Sequence, residues 1–594
     1  MARMTGAQAM VRYLEEEGIQ YVFGMAGHAN LAFLDALHES SIRFISVPHE
    51  QIAVHMADAY YRVTHRPAVV LTSVGPGFTN TVTGVADAMH DCSAIVLISG
   101  NVPIAHRGTE AYQEIAFHQD AAQTEVLKPI VKRAFRVDDR RLLGEIMARA
   151  FNNALGGVPG PVLVDIPMDM FSVMDDFSPS GTPARRPTSQ RSAADEAEVR
   201  KAVEILKSGK RPVIYAGGGT ILSEATEEVT ALAERLGSPV ITSLIAQSII
   251  DNDHPLFGGV TGAVGTRTAH HLASQADTVL LIGSRLSDMD TCSWHPEMFF
   301  NVPPARIVQI DIDPSQVGRR FPVDVGIVAD ARTALRQLLA ALPPDEGLAK
   351  PSAWLRAHDE QRKRWRAELE GSQRSNDVPI LPERLIAEIR AALPASGILV
   401  APNGPRYFVA QHFSAHGPRT HLVASGHGTM GWAVPAALGA KLGRPHSPVI
   451  CLTGDGGFRS TNPCLAVAVE ADIPVVWVIL NNGGFNIIEL IEKRFFKRGI
   501  GGAFRTTSGQ RYNPDFVALA RAYGVGAIRV ERSEEIGPAL REAITSGRPF
   551  VVDVAVTQQP QLRASGYWEA NRYLTRGWNE SEDKESARGF GDSA

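Results

Sequence analysis

Cysteine is scarce in this chain: four in 594 residues, at positions 92, 292, 451 and 464. So few, so widely spaced, exclude a disulfide framework or a cysteine-rich zinc site and point to a reducing cytoplasm. Long apolar runs are missing too. No stretch approaches the roughly 20 residues of a membrane span. The N-terminus has no charged segment leading into an apolar one, as a secretory signal would. Nor is there an excess of positive charge. The 59 Lys and Arg stand against 64 Asp and Glu, a net charge of −5, so no global field gathers nucleic acid or an anionic membrane. With 44% hydrophobic and 21% charged residues, collagen-like, coiled-coil and wholly disordered classes are also excluded. A large soluble enzyme-sized chain remains, for which length suggests about four domains, or three large ones.

What is present is alternation. In a first block, 1–174, strands are expected at 21–24, 43–47, 68–73, 94–99 and 162–166, and helices at 51–63 and 79–90. Thr5 reads as the N-cap of an amphipathic helix ending near Gly18. A polar Ser-, Pro- and Arg-rich stretch, 175–195, reads as a linker. A second block, 196–342, has strands at 213–216, 278–282 and 307–312, with Gly217-Gly218-Gly219 after the first and a helix beginning near Ser223. A charged helical connector, 343–376, precedes a third block, 378–556, with strands at 397–400, 448–453, 475–480 and 550–554. Near-continuous apolar strands between helices indicate parallel sheets covered on both faces. The first and third blocks both close on a Pro-led apolar strand that reaches an Asp, at Asp165 and Asp553. That echo hints at duplicated domains.

The strongest chemical signal lies in the third block. One strand runs into Gly454-Asp455-Gly456-Gly457, the next into Asn481-Asn482. Each motif alone is an ordinary tight turn. Together they put a carboxylate and an amide oxygen at the carboxyl ends of neighbouring strands, where open α/β sheets bind ligands. These hard oxygens suit Mg²⁺, with diphosphate completing the shell. The glycines admit phosphate to backbone N–H groups at a helix N-terminus.

This pattern resembles the thiamine diphosphate enzymes. The chain is similar to their acetolactate-synthase-like group along nearly its whole length, and most of all to bacterial 2-hydroxyacyl-CoA lyases. The resemblance implies an α/β protein of three doubly wound parallel-sheet domains: pyrimidine-binding (1–174), central and nucleotide-binding-like (196–342), and diphosphate-binding (378–556). A lid-like tail, 557–594, would follow. By resemblance, Asp455, Asn482 and the Gly484 carbonyl hold Mg²⁺, while Gly454, Gly456 and Gly457 admit thiamine diphosphate. Glu50, in Pro48-His49-Glu50, activates the cofactor at its pyrimidine ring. Gly75, Pro76 and Asn80 lie near it, as do Asn403 and Gly428, and Met430 supports its bend. Glu50 and the metal site fall in different domains, so the family pairs them between subunits, in a homodimer or homotetramer.

Four features bear on the reaction. Ile488 and Glu489 follow Asn482 on a helix start, where the family shapes its substrate pocket. A carboxylate there accepts a hydroxyl proton and returns it, as a lyase requires; the plain alternative is a surface Glu paired with Lys493. Gln119 and Leu127 match a substrate-side loop, although Tyr112-Gln113-Glu114 is a similar string, and His28 is a further pocket candidate. The segment from Gly283 to Asp290 lacks the second Arg of flavin-binding relatives, so FAD is not expected. Gly217, Gly218, Gly219, Arg285, Asp311 and Asp330 are candidates for the ADP part of coenzyme A. Basic residues that oxalyl-CoA decarboxylases use there are replaced by Val158 and the triple glycine. Finally, Tyr567, Trp568, Tyr573 and Trp578 mark a tail that resembles an active-site lid. Lys493, Arg494, Lys497 and Arg498 could meet coenzyme A phosphates or form a solvated face. The expected activity is reversible cleavage of a short 2-hydroxyacyl-CoA to an aldehyde or ketone plus formyl-CoA. The alternatives are an acetolactate-synthase-like carboligase or decarboxylase of free 2-oxo acids, and a non-catalytic paralogue.

Overall fold

The computed structural model describes residues 3–115, 122–177, 191–343, 352–424, 426–561, 563 and 566–574. Each block folds around a six-stranded, wholly parallel sheet. In the first, β1 (Tyr21–Gly24), β2 (Arg43–Ser46), β3 (Ala68–Thr72), β4 (Ile95–Asn101), β5 (Arg133–Arg136) and β6 (Val162–Pro167) take the order β2-β1-β3-β4-β6-β5. The central block has β7 (Pro212–Ala216), β8 (Val240–Thr242), β9 (Phe257–Val260), β10 (Thr278–Ile282), β11 (Arg306–Asp311) and β12 (Val325–Val328), ordered β9-β8-β7-β10-β11-β12. That order reverses between β7 and β10, the crevice where doubly wound sheets bind nucleotides. The third block has β13 (Ile398–Ala401), β14 (His421–Val423), β15 (Val449–Gly454), β16 (Val476–Asn481), β17 (Gly526–Val530) and β18 (Phe550–Ala555), ordered β14-β13-β15-β16-β18-β17.

The first and third sheets therefore share one topology, and the sequence echo extends into side chains. Asp165 on β6 accepts from the Nδ2 of Asn101 at the end of β4 (3.0 Å), as Asp553 on β18 accepts from that of Asn481 at the end of β16 (2.9 Å). Equivalent buried Asp–Asn pairs close the two sheets at equivalent places, as duplicated domains would.

Helices start where the caps stand. Thr5 accepts from the Gln8 N–H and opens α1 (Gly6–Glu16) with a capping box. The helix expected over 79–90 is broken into Pro76–Thr79 and Val82–His90. A helix at Ala353–Gln373 forms the charged connector. In the first domain α2 (Glu50–Thr64) carries Glu50 as its first residue; in the third, α3 (Ala433–Gly443) follows the Gly428–Gly431 segment. These two helices pack on each other within the chain, and one apolar core runs across both domains.

Small residues allow that approach. A Cβ on Gly439 would stand 1.9 Å from the Met56 carbonyl oxygen. Polar groups fix the register. Trp432 Nε1 donates to Asp58 (2.7 Å), and Arg62 donates to the Val423 carbonyl and to Asp91. We predict that Gly439→Ala forces the helices apart and destabilises the protein by about 1–3 kcal/mol, the usual range for overpacking. Denaturant unfolding tests this; an unchanged midpoint would show that the two domains part freely here.

Candidate active site

Two half-sites lie at the carboxyl ends of the outer sheets. In the first domain, the chain leaving β2 turns through Pro48-His49, and His49 caps α2. Glu50 is thereby placed at the helix start, almost fully buried. Its Oε2 accepts from Asn80 Nδ2 at 2.9 Å, and a Cβ on Gly77 would stand 3.1 Å from its Oε1. Gly75 takes φ +66°, a left-handed conformation that glycine permits, and its Cβ site is filled by the main chain of Gln113. The expected set of Glu50, Gly75, Pro76 and Asn80 is thus one cluster. His28 stands at its edge, its ring 5.8 Å from that of Tyr112. The loop bearing Gln113 therefore reaches the cluster, whereas Gln119 lies outside the described residues. Leu127, expected to narrow the pocket, is instead fully buried in the apolar core shared with α2. It ends a short helix, Gln123–Leu127, that turns Gln123 and Leu127 inward.

In the third domain, Gly454 and Asp455 pass from β15 into a helix at Asp455–Thr461. Asp455 Oδ1 accepts from the Gly456 N–H (2.7 Å). Its Oδ2 accepts from the N–H groups of Asn482 (3.1 Å) and Gly483 (2.7 Å) and from Asn513 Nδ2 (2.7 Å). Burial pushes the carboxyl up and these donors pull it back; a divalent cation would favour the ionised form. Asp455, Asn482 and Gly484 lie just past the carboxyl ends of the neighbouring strands β15 and β16, the kind of hard-oxygen donor set that suits Mg²⁺. Asn403 Nδ2 stands 2.5 Å from where a Cβ on Gly428 would be, while Asn403 Oδ1 is buried without a partner among the described residues. Met430 is 51% exposed, a large apolar side chain still open for contact. The donors, the Gly428 cradle and the open methionine fit thiamine diphosphate.

Beside this half-site, Asn486–Ile491 forms a helix on which Ile488 is exposed and Glu489 buried. Glu489 pairs with Lys493 (2.9 Å), as the plain alternative has it, but is no surface residue: Arg511 Nη2 also donates to both its oxygens, at 2.7 and 2.9 Å. Burial works to raise this carboxyl; the Arg511 and Lys493 hydrogen bonds outweigh it and hold it below its ordinary value. Arg511, Asn513 and Glu492 were not legible in the sequence. Glu492 accepts from the N–H groups of Ile500, Gly501 and Gly502 and clasps the loop lying over Glu489. Polar residues on loops carry no periodic signal; only the alternation in Arg511-Tyr512-Asn513 could have suggested a strand.

A cleft of about 1600 Å³ opens along the central domain, bordered by all three domains. Gly218, Gly219, Arg285, Asp311 and Asp330 line it, with Lys132, Arg191 and Arg419. Two expectations need correction. Gly217 does not line the cleft: its Cβ site is filled by the Gly283 carbonyl, a close strand-end approach. Asp330 caps the helix at Ala331–Ala341 and accepts from Arg191 and Ser223, so its carboxylate is engaged in structure.

The tail crosses between sites. Gln558 donates to the Asn482 carbonyl and accepts from Asn486, beside the Asp455–Asn482 cluster. Residues 566–574 then lie on the central domain: Trp568 Nε1 donates to Asp288, and the Tyr567 ring packs 4.7 Å from His295. The described tail thus rests on the central domain beside the segment from Gly283 to Asp290; Trp578 lies outside the described residues. All four cysteines are free. Among the described residues no helix is long and apolar enough to cross a membrane.

Three family models match the chain: the N-terminal thiamine pyrophosphate-binding domain over residues 4–123, the thiamine pyrophosphate enzyme central domain over 199–338, and the C-terminal thiamine pyrophosphate-binding domain over 405–554. The chain is 35% identical to a probable acetolactate synthase large subunit of Methanococcus aeolicus over 583 residues, 94% of this chain and 93% of that one. It is 36% identical to the acetolactate synthase large subunit of Corynebacterium glutamicum, over 94% of this chain and 88% of that one. These relatives carry the name of the carboligase, and the expected likeness to 2-hydroxyacyl-CoA lyases finds no support in them.

Proposed function

The chain belongs to the thiamine pyrophosphate enzymes, with acetolactate synthases among its relatives, and from that premise we propose that it makes and breaks the carbon–carbon bond beside a carbonyl. When bound, thiamine diphosphate supplies the nucleophilic carbon and the electron sink for such chemistry. Asp455, Asn482 and Gly484 would hold its Mg²⁺, and Glu50 would hold the proton at its pyrimidine ring. The half-site around Glu50 and that around Asp455 each expose apolar residues (Tyr112 on one, Met430 and Ile488 on the other). We propose that a second copy of the chain completes each site.

The observation that carries the substrate reading is Glu489, a buried carboxylate held ionised beside the metal loop. It supports a lyase acting on a short 2-hydroxyacyl-CoA. Glu489 takes the hydroxyl proton as the bond to the thioester carbon breaks. A ketone or aldehyde departs, and the proton returns to the thioester carbon, which leaves as formyl-CoA. The electron pair of the broken bond stays with that carbon, so the step needs no oxidant. The central cleft has room for a nucleotide diphosphate, whose phosphates Lys132 and Arg285 on its wall would meet.

The names of the relatives favour a second reading, an acetolactate-synthase-like carboligase of free 2-oxo acids. One experiment separates them: protein loaded with thiamine diphosphate and Mg²⁺ is given 2-hydroxyisobutyryl-CoA or pyruvate. Formyl-CoA and acetone support the lyase; acetolactate without coenzyme A, or a yellow flavin-bearing protein, supports the carboligase. Under the lyase reading, we predict that Glu489→Ala slows cleavage by about 100-fold, the lower end of general-base contributions. An unchanged rate would sink that role.

A further inference from the structure

Residues 503–513 fold back over the metal loop. Gly484 bridges Ala503, Arg505 bridges Arg511, and Tyr512 donates its N–H to the Phe504 carbonyl. In extended chain, alternate side chains face opposite ways. Tyr512 accordingly faces solvent, while Arg511 and Asn513 turn inward, and each inward side chain has two distinct employers.

Asn513 Nδ2 donates to Asp455 Oδ2 and to Asn481 Oδ1, both at 2.7 Å. Arg511 uses its planar fork in two directions. Its Nη1 donates to the carbonyls of Asn482 (3.2 Å) and Gly483 (3.1 Å), and its Nη2 to both oxygens of Glu489. Gly483 sits at φ +75°, and the three atoms nearest its Cβ position all belong to Arg511. One guanidinium therefore touches the loop that carries metal ligands and the carboxylate assigned to proton transfer. Lys493, which also pairs with Glu489, is 48% exposed.

We propose that Arg511 is the positioning residue that sets Glu489 in register with the metal loop. This rests on the proton-transfer role given to Glu489 above. A guanidinium satisfies both ends at once because its donors lie in a fixed plane; an ammonium is a point charge and serves one end at a time. The bidentate bond fixes the plane of the carboxylate as well as its charge. A carboxylate displaced by about 1 Å can lose two orders of magnitude in rate.

The test uses the full-length protein loaded with thiamine diphosphate and Mg²⁺, with steady-state kinetics on the substrate that it turns over. We expect Arg511→Met to lower kcat by about 10–100-fold with KM changed by less than about twofold. Arg511→Lys should restore part of that loss, since an ammonium keeps the charge but serves one end at a time. Paired with Glu489→Gln, Arg511→Met should add almost nothing. A further full loss in the Glu489→Gln background would overturn the proposal. If Glu489→Gln is harmless while Arg511→Met is not, the lyase reading of Glu489 fails separately, and Arg511 acts on the metal loop alone. A crystal structure of Arg511→Met tests the same point without turnover: a Glu489 carboxylate within about 0.5 Å of its place, the tolerance of a working site, would also overturn it.

Discussion

Glu50→Gln is expected to lower turnover by about 10²–10⁴-fold, the span of a lost proton-transfer group, while leaving cofactor binding and folding intact. The amide has the shape of the carboxyl, and its oxygen can still accept from Asn80 Nδ2. The helix that begins at this residue keeps its His49 cap. The residues proposed to hold diphosphate and metal, Asp455 and Asn482 among them, sit on the third domain. What is removed is the ability of a nearly buried group to share a proton with a ring nitrogen. Steady-state kinetics, together with calorimetric titration of thiamine diphosphate, separate the two properties. Activity within tenfold of the parent would show that another residue performs the activation.

Asp455→Ala should have the opposite signature, a loss of binding first. It removes a charged ligand and leaves three main-chain N–H groups and Asn513 Nδ2 without their acceptor. Each stranded buried donor costs about 1–3 kcal/mol where water does not replace the partner. Removing one outer hydrogen-bond partner of a metal ligand weakens metal affinity by about 10–100-fold. Asn513→Ala should fall in that range and Asp455→Ala beyond it. Mg²⁺-dependent binding of thiamine diphosphate, followed by calorimetry, provides the measure. Parental affinity in Asp455→Ala would remove this residue from the metal site.

The structure also explains which strands escape a reading of the sequence. Interior strands such as Thr278–Ile282 and Phe550–Ala555 are apolar along nearly their whole length because both faces are covered. Arg133–Arg136, Phe257–Val260, Val325–Val328, His421–Val423 and Gly526–Val530 lie at sheet edges. Edge strands pair on one side only, so they tolerate charge, glycine and short length, and their pattern fades into that of loops. Val240–Thr242, next to an edge, is three residues long and too short to show a period.

The same division runs through the site. Glu50, Asp455, Asn482 and the glycines around them were legible because each follows an apolar strand, and strand ends are where a parallel sheet presents ligands. Leu127 and Asp330 were legible as residues but not in their roles: packing turned one into the core, and a helix start claimed the other's carboxylate. Arg511, Asn513 and Gln558 act on groups 22 to 76 residues away in the chain, and Glu492 on a loop 8 to 10 residues on, so no short motif marks their partners. The sequence by itself determined three parallel-sheet domains and the thiamine pyrophosphate family, because local apolar periodicity and glycine placement encode strand ends. Only the tertiary structure decided which loop residues reach Glu489 and the metal ligands. Those contacts depend on how the 503–513 fold and the tail cross the sheet ends, and no spacing along the chain records it.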